Sequence, residues 1–183
     1  MKRLILIGAV LALLSCGQQQ SGDSNMPVDE EVSGGGQSTV QDDTSEPDVV
    51  HIAIASPDHS TLVTALQTAE YVDALSNAGP FTVFAPTNEA FGKLPEGTVE
   101  GLLKPESKDA LRNILEYHVF VGVIKEEFVR DEMTLNQVNL ENVTLGKQDG
   151  KITVNGANVL GTVKASNGIV YIIDAVLLPP DNN

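Results

Sequence analysis

The residues best equipped for chemistry in this 183-residue chain are one thiol, three imidazoles and a few carboxylate pairs. Their spacing assembles no reaction centre. His51 and His59 lie eight apart with Pro57 between them and lack an HExxH-type partner, which makes a poor metal pair. Glu126-Glu127 and Asp131-Glu132 supply adjacent acids. Acid–base hydrolysis of a glycoside instead needs two carboxyl groups facing each other across a cleft, and a calcium loop needs a spaced ladder of oxygens. Adjacent acids on a loop read as solvated surface. Gly156 and Gly161 echo a phosphate loop, but Thr162 stands where lysine must reach the phosphates. No Gly-x-Ser-x-Gly elbow is present. The expectation is a non-catalytic protein without metal or cofactor.

Two polar residues stand out by their neighbours. His118 shares helical spacing with Leu111, Ile114 and Leu115, and Asp174 shares strand spacing with Ile172 and Val176. A polar group buried without a partner costs about 1–3 kcal/mol, so each is expected to find one in the core. Tyr117 sits one step round the helix, about 100° from His118, which predicts a ring at the surface edge.

The elements that must hold these residues fall into two halves of different rhythm. Leu62, Ala65, Leu66 and Ala69 recur at helical spacing behind Ser60, a plausible N-cap. Val99, Leu102 and Leu103 repeat the pattern after Thr98, and Leu111 to His118 repeat it with Asp109 in the first turn, where the helix dipole favours an anion. One strand-like run at 81–85 ends at Pro86, and Thr87 is placed to cap a short helix through Phe91. Further on, Val143/Leu145 and Ile152/Val154 alternate with polar neighbours, as in half-buried strands. Asp149-Gly150, Asn155-Gly156 and Asn167-Gly168 read as turns, since these residues accept positive φ. The run 169–178 is apolar except for Asp174 and predicts a central strand, stopped by Pro179-Pro180. Helices first and antiparallel strands last argue an α+β fold.

The amino terminus sets the compartment. Lys2-Arg3, an apolar run at 4–14 and the small Ser15 lead to Cys16, and Leu13-Leu14-Ser15-Cys16 resembles the lipobox of bacterial lipoproteins. That resemblance implies cleavage after residue 15, a lipid on the Cys16 thiol and palmitate among its acyl groups. The apolar run is too short to cross a bilayer as a helix. Residues 17–48 hold three consecutive glutamines, three consecutive glycines and eight acids, with no Lys or Arg, the composition of a disordered tether. The expected organisation is signal peptide 1–15, lipidated tether 16–48, one domain at 49–180 and a tail at 181–183. A net charge of −14 argues against nucleic acid, whose phosphates need Lys and Arg. With the one thiol lipidated, no disulfide remains to help, and stability rests on an apolar core.

Within 49–180 three segments appear in order: GPFTVFAPTNEAFGKLPEGTVEGLL (79–103), LRNILEYHVFVG (111–122) and ASNGIVYIIDAVLLP (165–179). Together they resemble the successive motifs of a fasciclin domain. Phe120-Val121-Gly122 departs from the Val-Pro-Gly turn that many relatives carry after the Tyr-His pair. The resemblance implies a fasciclin-like wedge of mostly antiparallel strands with helices packed along it, and an adhesive role at cell surfaces or in matrix. It also marks Tyr117 and His118, linked to integrin binding in some animal relatives, as candidate contact residues. His118 and Asp174 remain candidates for a structural polar core. The combined expectation is a lipid-anchored, extracytoplasmic module of the bacterial cell envelope that binds another protein. The alternatives are a polysaccharide-binding module, disfavoured by 4% aromatic content, and an extracytoplasmic enzyme of unassigned chemistry.

Overall fold

The computed structural model describes residues 46–180. Cys16, the signal segment, the tether up to residue 45 and the tail 181–183 lie outside the described residues.

The ordered chain begins with a capped helix. Asp48 accepts hydrogen bonds from the backbone N–H groups of Val50 and His51 at 2.9 and 2.8 Å, starting α1 (Val49–Ala55). A 3-10 turn, Pro57–His59, then leads directly into α2 (Ser60–Thr68). Ser60 is therefore the first helical residue, and its hydroxyl accepts from Asn88 Nδ2 at 3.0 Å instead of capping. α3 (Val72–Ser76) follows and leads to β1 (Phe81–Pro86). Thr87 caps α4 (Asn88–Gly92) by accepting from Ala90 N–H at 3.2 Å, as its position after Pro86 predicts. α5 (Thr98–Leu102) and α6 (Lys108–Tyr117) complete the helical half. Gly97, at φ 81°, precedes α5, so Thr98 is its first residue.

The strands are β2 (Val119–Val121), β3 (Met133–Asn136), β4 (Asn142–Gln148), β5 (Lys151–Val154), β6 (Ala157–Ala165) and β7 (Gly168–Ile173). With β1 they form a seven-stranded sheet in the order β2-β1-β7-β6-β5-β4-β3, antiparallel throughout except for the parallel pair β1–β7. Val138 N–H donates to the Val119 carbonyl at 2.9 Å, bringing the chain after β3 against β2 and nearly closing the sheet. This is the fasciclin-like α+β wedge expected from the motifs.

The apolar runs of β1 and β7 follow from their central place. Val83, Ala85 and Val170 pack under α1, α2, α3 and α6, while Phe84, Ile169, Tyr171 and Ile173 pack against the strand-rich half. Both faces of this parallel pair are covered, so side chains on either face must be apolar.

Two sequence expectations need correction. Asp149-Gly150 and Asn155-Gly156 do form positive-φ turns, but Asn167-Gly168 has positive φ at neither residue. Gly168 instead opens β7, where a Cβ would collide with the Phe81 carbonyl. Asn167 is a tie: its Oδ1 accepts from Val49 N–H at 3.0 Å, and its Nδ2 donates to the Leu75 and Asn77 carbonyls at 2.8 and 2.9 Å. The predicted strand 169–178 also stops early, at Ile173. Its neighbours run out there, because β1 passes into α4 at Thr87 and β6 begins at Ala157. Asp174 N–H still reaches the Asn158 carbonyl at 3.1 Å, after which the chain leaves the sheet.

Candidate functional site

The end of α6 and the extended segment after β7 build the site together. α6 buries Leu111 and Leu115 against the helical layer, and the exposed Arg112 pairs with the half-buried Glu116 at 3.0 Å one turn on. His118 is its C-cap, and the His118 carbonyl already belongs to the sheet, accepting from Phe84 N–H at 2.9 Å.

The His118 ring is 3% exposed, and both its nitrogens are engaged. Nδ1 meets the Ile114 carbonyl at 2.7 Å, and Nε2 meets the backbone N–H of Leu177 at 3.0 Å. A carbonyl can only accept and an amide N–H can only donate, which fixes the neutral tautomer: Nδ1 carries the proton and Nε2 accepts. Burial pushes the His118 pKa down to about 4, and the bond to the Ile114 carbonyl offsets only part of that. The ring therefore joins α6 to the terminal segment in its uncharged form.

Tyr117 lies inside, not at the surface edge that helical spacing predicts. It is 2% exposed, because β4 and the β5–β6 turn fold over the carboxyl end of α6. Its hydroxyl donates to the Asn142 carbonyl at 2.9 Å and accepts from Asn155 Nδ2 at 2.8 Å. Asn155 in turn accepts from Thr144 N–H through Oδ1 at 2.8 Å, so the turn residue is braced on two sides.

Asp174 also departs from its expected place. Its side chain is 26% exposed, which makes it a rim residue and not part of the polar core. Both ring nitrogens of His118 are taken by Ile114 and Leu177, so Asp174 is not its partner. The Asp174 carboxylate accepts from Asn158 N–H at 2.7 Å and from Asn158 Nδ2 at 2.8 Å, with Lys93 Nζ 3.8 Å away. The Asn158 hydrogen bonds hold its pKa below the ordinary carboxylate range, helped by the Lys93 charge. Lys93 Nζ donates to the Asp174 carbonyl at 2.6 Å.

These contacts surround an open groove of about 490 Å³, lined by Lys93, residues 155–158 and residues 174–178. The lining is mostly polar and holds no aromatic side chain. Tyr117 and His118 both stand behind it. Tyr117 holds one wall through Asn155, and His118 holds the other through Leu177. The sequence singled out the pair and missed the groove, although Asn155-Gly156 was visible as a turn and turn asparagines commonly bond nearby backbone.

The remaining chemical candidates stay apart. His51 Nδ1 contacts Asp48 at 2.9 Å, and His59 Nδ1 contacts Ser56 Oγ at 2.9 Å. Glu126, Glu127, Asp131 and Glu132 are exposed. Gly156 lies in a turn and Gly161 within β6, so they form no single loop. Among the described residues no group of three or more metal-ligating side chains converges.

A fasciclin-domain family model matches residues 57–179. The chain belongs to the fasciclin family. Protein sll1483 of Synechocystis sp. is 49% identical to this fasciclin chain over 133 residues, covering 72% of it and 73% of that protein. The cell surface glycolipoprotein MPB83 of Mycobacterium bovis is 39% identical over 138 residues, covering 72% and 60%. A solved fasciclin domain pair from the insect cell adhesion molecule fasciclin I shares the fold, with a TM-score of 0.65 at 19% identity. That match covers 72% of this chain and 51% of the insect chain. Fasciclin domains thus occur in a cell adhesion molecule and in a bacterial cell-surface protein. α1 precedes the matched span, yet its Val49, Val50 and Ala53 are buried. No helix among the described residues is long and apolar enough to cross a membrane.

Proposed function

We propose that this fasciclin protein is a non-catalytic adhesion or surface-assembly module, anchored outside the cytoplasmic membrane by lipid on Cys16. In this reading its domain binds an extended segment of another protein in the groove between residues 155–158 and 174–178. The observation that carries it is the burial of Tyr117 and His118 combined with their bonds to the two groove walls. Side chains so deeply buried cannot form the contact surface, but they can shape one. An extended polypeptide suits the groove because its walls are a turn and an extended segment rich in backbone polar groups. The absence of aromatic lining favours protein over polysaccharide, since sugar faces stack on aromatic rings.

The test substitutes two exposed groove residues, Lys93→Glu and Leu178→Asp, in the full chain. Leu178→Asp is a surface change that alters stability by about 0.5 kcal/mol or less. Lys93→Glu also loses the bond to the Asp174 carbonyl and sets two carboxylates together, so its attachment is read against its own melting temperature. Cell–cell or cell–matrix attachment should fall several-fold in both, with the melting temperature of Leu178→Asp hardly moved. Attachment equal to wild type in both variants would remove the groove from the proposal, and inhibition of wild-type attachment by added soluble glycan would favour the polysaccharide reading. For the anchor, Cys16→Ala should convert a detergent-partitioning protein into an unlipidated one. Unchanged partitioning, with an unmodified native thiol by mass spectrometry, would overturn lipid attachment.

A further inference from the structure

We propose that His118 is an acid-released latch that holds the segment after β7 in place and so keeps one wall of the groove closed. Its importance for binding rests on the groove reading above, but the latch itself does not depend on any ligand.

The geometry is specific to one protonation state. Residues 175–178 have left the sheet, and the link from Leu177 N–H to His118 Nε2, at 3.0 Å, ties them to the end of α6. That amide can only donate, so Nε2 must present a lone pair. A proton on Nε2 would set two donors against each other at hydrogen-bond distance. The ring cannot turn over to escape, because Nδ1 is held by the Ile114 carbonyl at 2.7 Å, which needs the N–H already there. The strain is relieved when the segment moves away and uncovers Nε2 to solvent.

Among the described residues nothing nearby would stabilise a charged ring in place. The small cavity beside it, about 20 Å³, is lined by aliphatic and phenylalanine side chains from α1, α2, α3, α6, β1, β2 and β7. Titratable side chains on these and adjoining elements are occupied elsewhere. On α1, His51 contacts Asp48; before α2, His59 contacts Ser56. Asp73 lies in the first turn of α3 and has a partner of its own. On α6, Lys108 pairs with Glu70, and Asp109 lies exposed in the first turn at the far end of the helix. On the same helix Arg112 pairs with Glu116, and Tyr117 bonds Asn142 and Asn155. On β7 the Tyr171 hydroxyl donates to the Ile124 carbonyl at 2.7 Å. On the terminal segment Asp174 is held by Asn158 and Lys93. No ionised side chain among the described residues contributes to the proton affinity of His118, which burial lowers and the Ile114 bond alone raises.

The sign follows. The closed latch binds its proton only near pH 4, while the solvated ring binds one near its ordinary 6.5. Closure is therefore fully present above pH 6.5 and is lost progressively as pH falls towards 4. Across that window each unit of acid favours the open form about tenfold. An envelope domain whose surroundings acidify would then loosen one groove wall without unfolding.

Amide hydrogen exchange on the full chain tests this, with each rate corrected for its intrinsic pH dependence. The protection factor of Leu177 should fall about tenfold per pH unit from 6.5 down towards 4, while amides of β1 and β7 keep theirs. In His118→Gln, which retains an acceptor and a donor but does not titrate, Leu177 protection should be flat with pH. A flat wild-type profile overturns the latch, and so does an equal fall in His118→Gln. Equal loss of protection across β1 and β7 would also overturn it, by showing global unfolding in place of local release. Nitrogen NMR of the wild-type ring covers the case in which the variant does not fold. It should show a protonated Nδ1 and a bare Nε2 at neutral pH, and the reverse pattern ends the proposal. None of these readouts uses a partner, so the latch and the groove can fail separately.

Discussion

The two halves of the domain are held together by different physics. Above the β1–β7 pair, α1, α2, α3 and α6 bury almost purely aliphatic side chains, and Tyr71 and Phe91 are among the few rings there. Below it, polar side chains repeatedly stand in where the ladder fails. Thr82 Oγ1 donates to the Gly122 carbonyl and accepts from Ile124 N–H, Tyr171 holds the Ile124 carbonyl, and Tyr117 spans Asn142 and Asn155. Helices satisfy their interior backbone and leave only their ends to side chains such as Asp48, Thr87 and Asn167, so the helical layer depends chiefly on shape. A sheet of short strands leaves backbone groups open at every bend and must close them with side chains. The helical half should therefore be sensitive to lost volume, and the strand half to lost hydrogen-bonding atoms at constant volume.

The largest effect should come from truncating the helical layer. Leu66 is 4% exposed and belongs to the aliphatic cluster under α2. Leu66→Ala should cost about 2–5 kcal/mol in a denaturant titration, through lost transfer energy and the cavity left behind. A cost under about 1 kcal/mol would mean that the layer collapses freely around the gap and is not held by shape.

In the strand half a single oxygen is the more telling deletion. Tyr117→Phe keeps the ring but strands the Asn142 carbonyl and removes the acceptor for Asn155 Nδ2. The expected cost is about 1–3 kcal/mol. Groove-dependent attachment should weaken more than stability alone accounts for, because Asn155 loses a brace. If the variant matches wild type in both respects, the comparison between halves fails at its best-defined point.

The same division explains what was legible in the sequence. Helix periodicity, hairpin alternation and the cap at Thr87 are local signals, and the elements appear where those signals point. Short elements such as α3, β2 and β3 give too few residues to show a period. The apolar run over-extends β7 because the strand's end is set by the disappearance of its neighbours, which no local pattern encodes. Helical spacing misplaces Tyr117 for a related reason: the 100° step describes an isolated helix, whereas this helix ends under β4 and the β5–β6 turn. Asn167 and Asn155 are turn residues, as their types predict, but their amide groups also join segments more than a hundred and about forty positions distant, respectively, which no local pattern shows. The groove was invisible because its walls come from three separate stretches of chain.

The smallest expected effect is a gain, and it tests where backbone strain has collected. Five non-glycine residues have positive φ among the described residues, and four of them, Glu132, Leu140, Asp149 and Asn155, lie in the strand half. Asp and Asn tolerate this conformation, and both sit in hairpin turns. Leu140 does not share that tolerance: it stands at φ 69° and is 79% exposed, so neither local bonding by its side chain nor burial compensates the conformation. Its backbone is held from both sides, with Leu140 N–H donating to the Gln137 carbonyl at 2.9 Å and its carbonyl accepting from Asn136 Nδ2 at 2.8 Å. Leu140→Gly keeps both bonds and relieves about 1–2 kcal/mol of left-handed strain. Against this, glycine makes the unfolded chain more flexible, at a cost of about 0.5–1 kcal/mol. The balance is a stabilisation of about 0–1.5 kcal/mol, readable as a small rise in denaturation midpoint with an unchanged slope. A lower midpoint would show that the leucine side chain contributes packing its exposure conceals, and that strain is not what distinguishes this half.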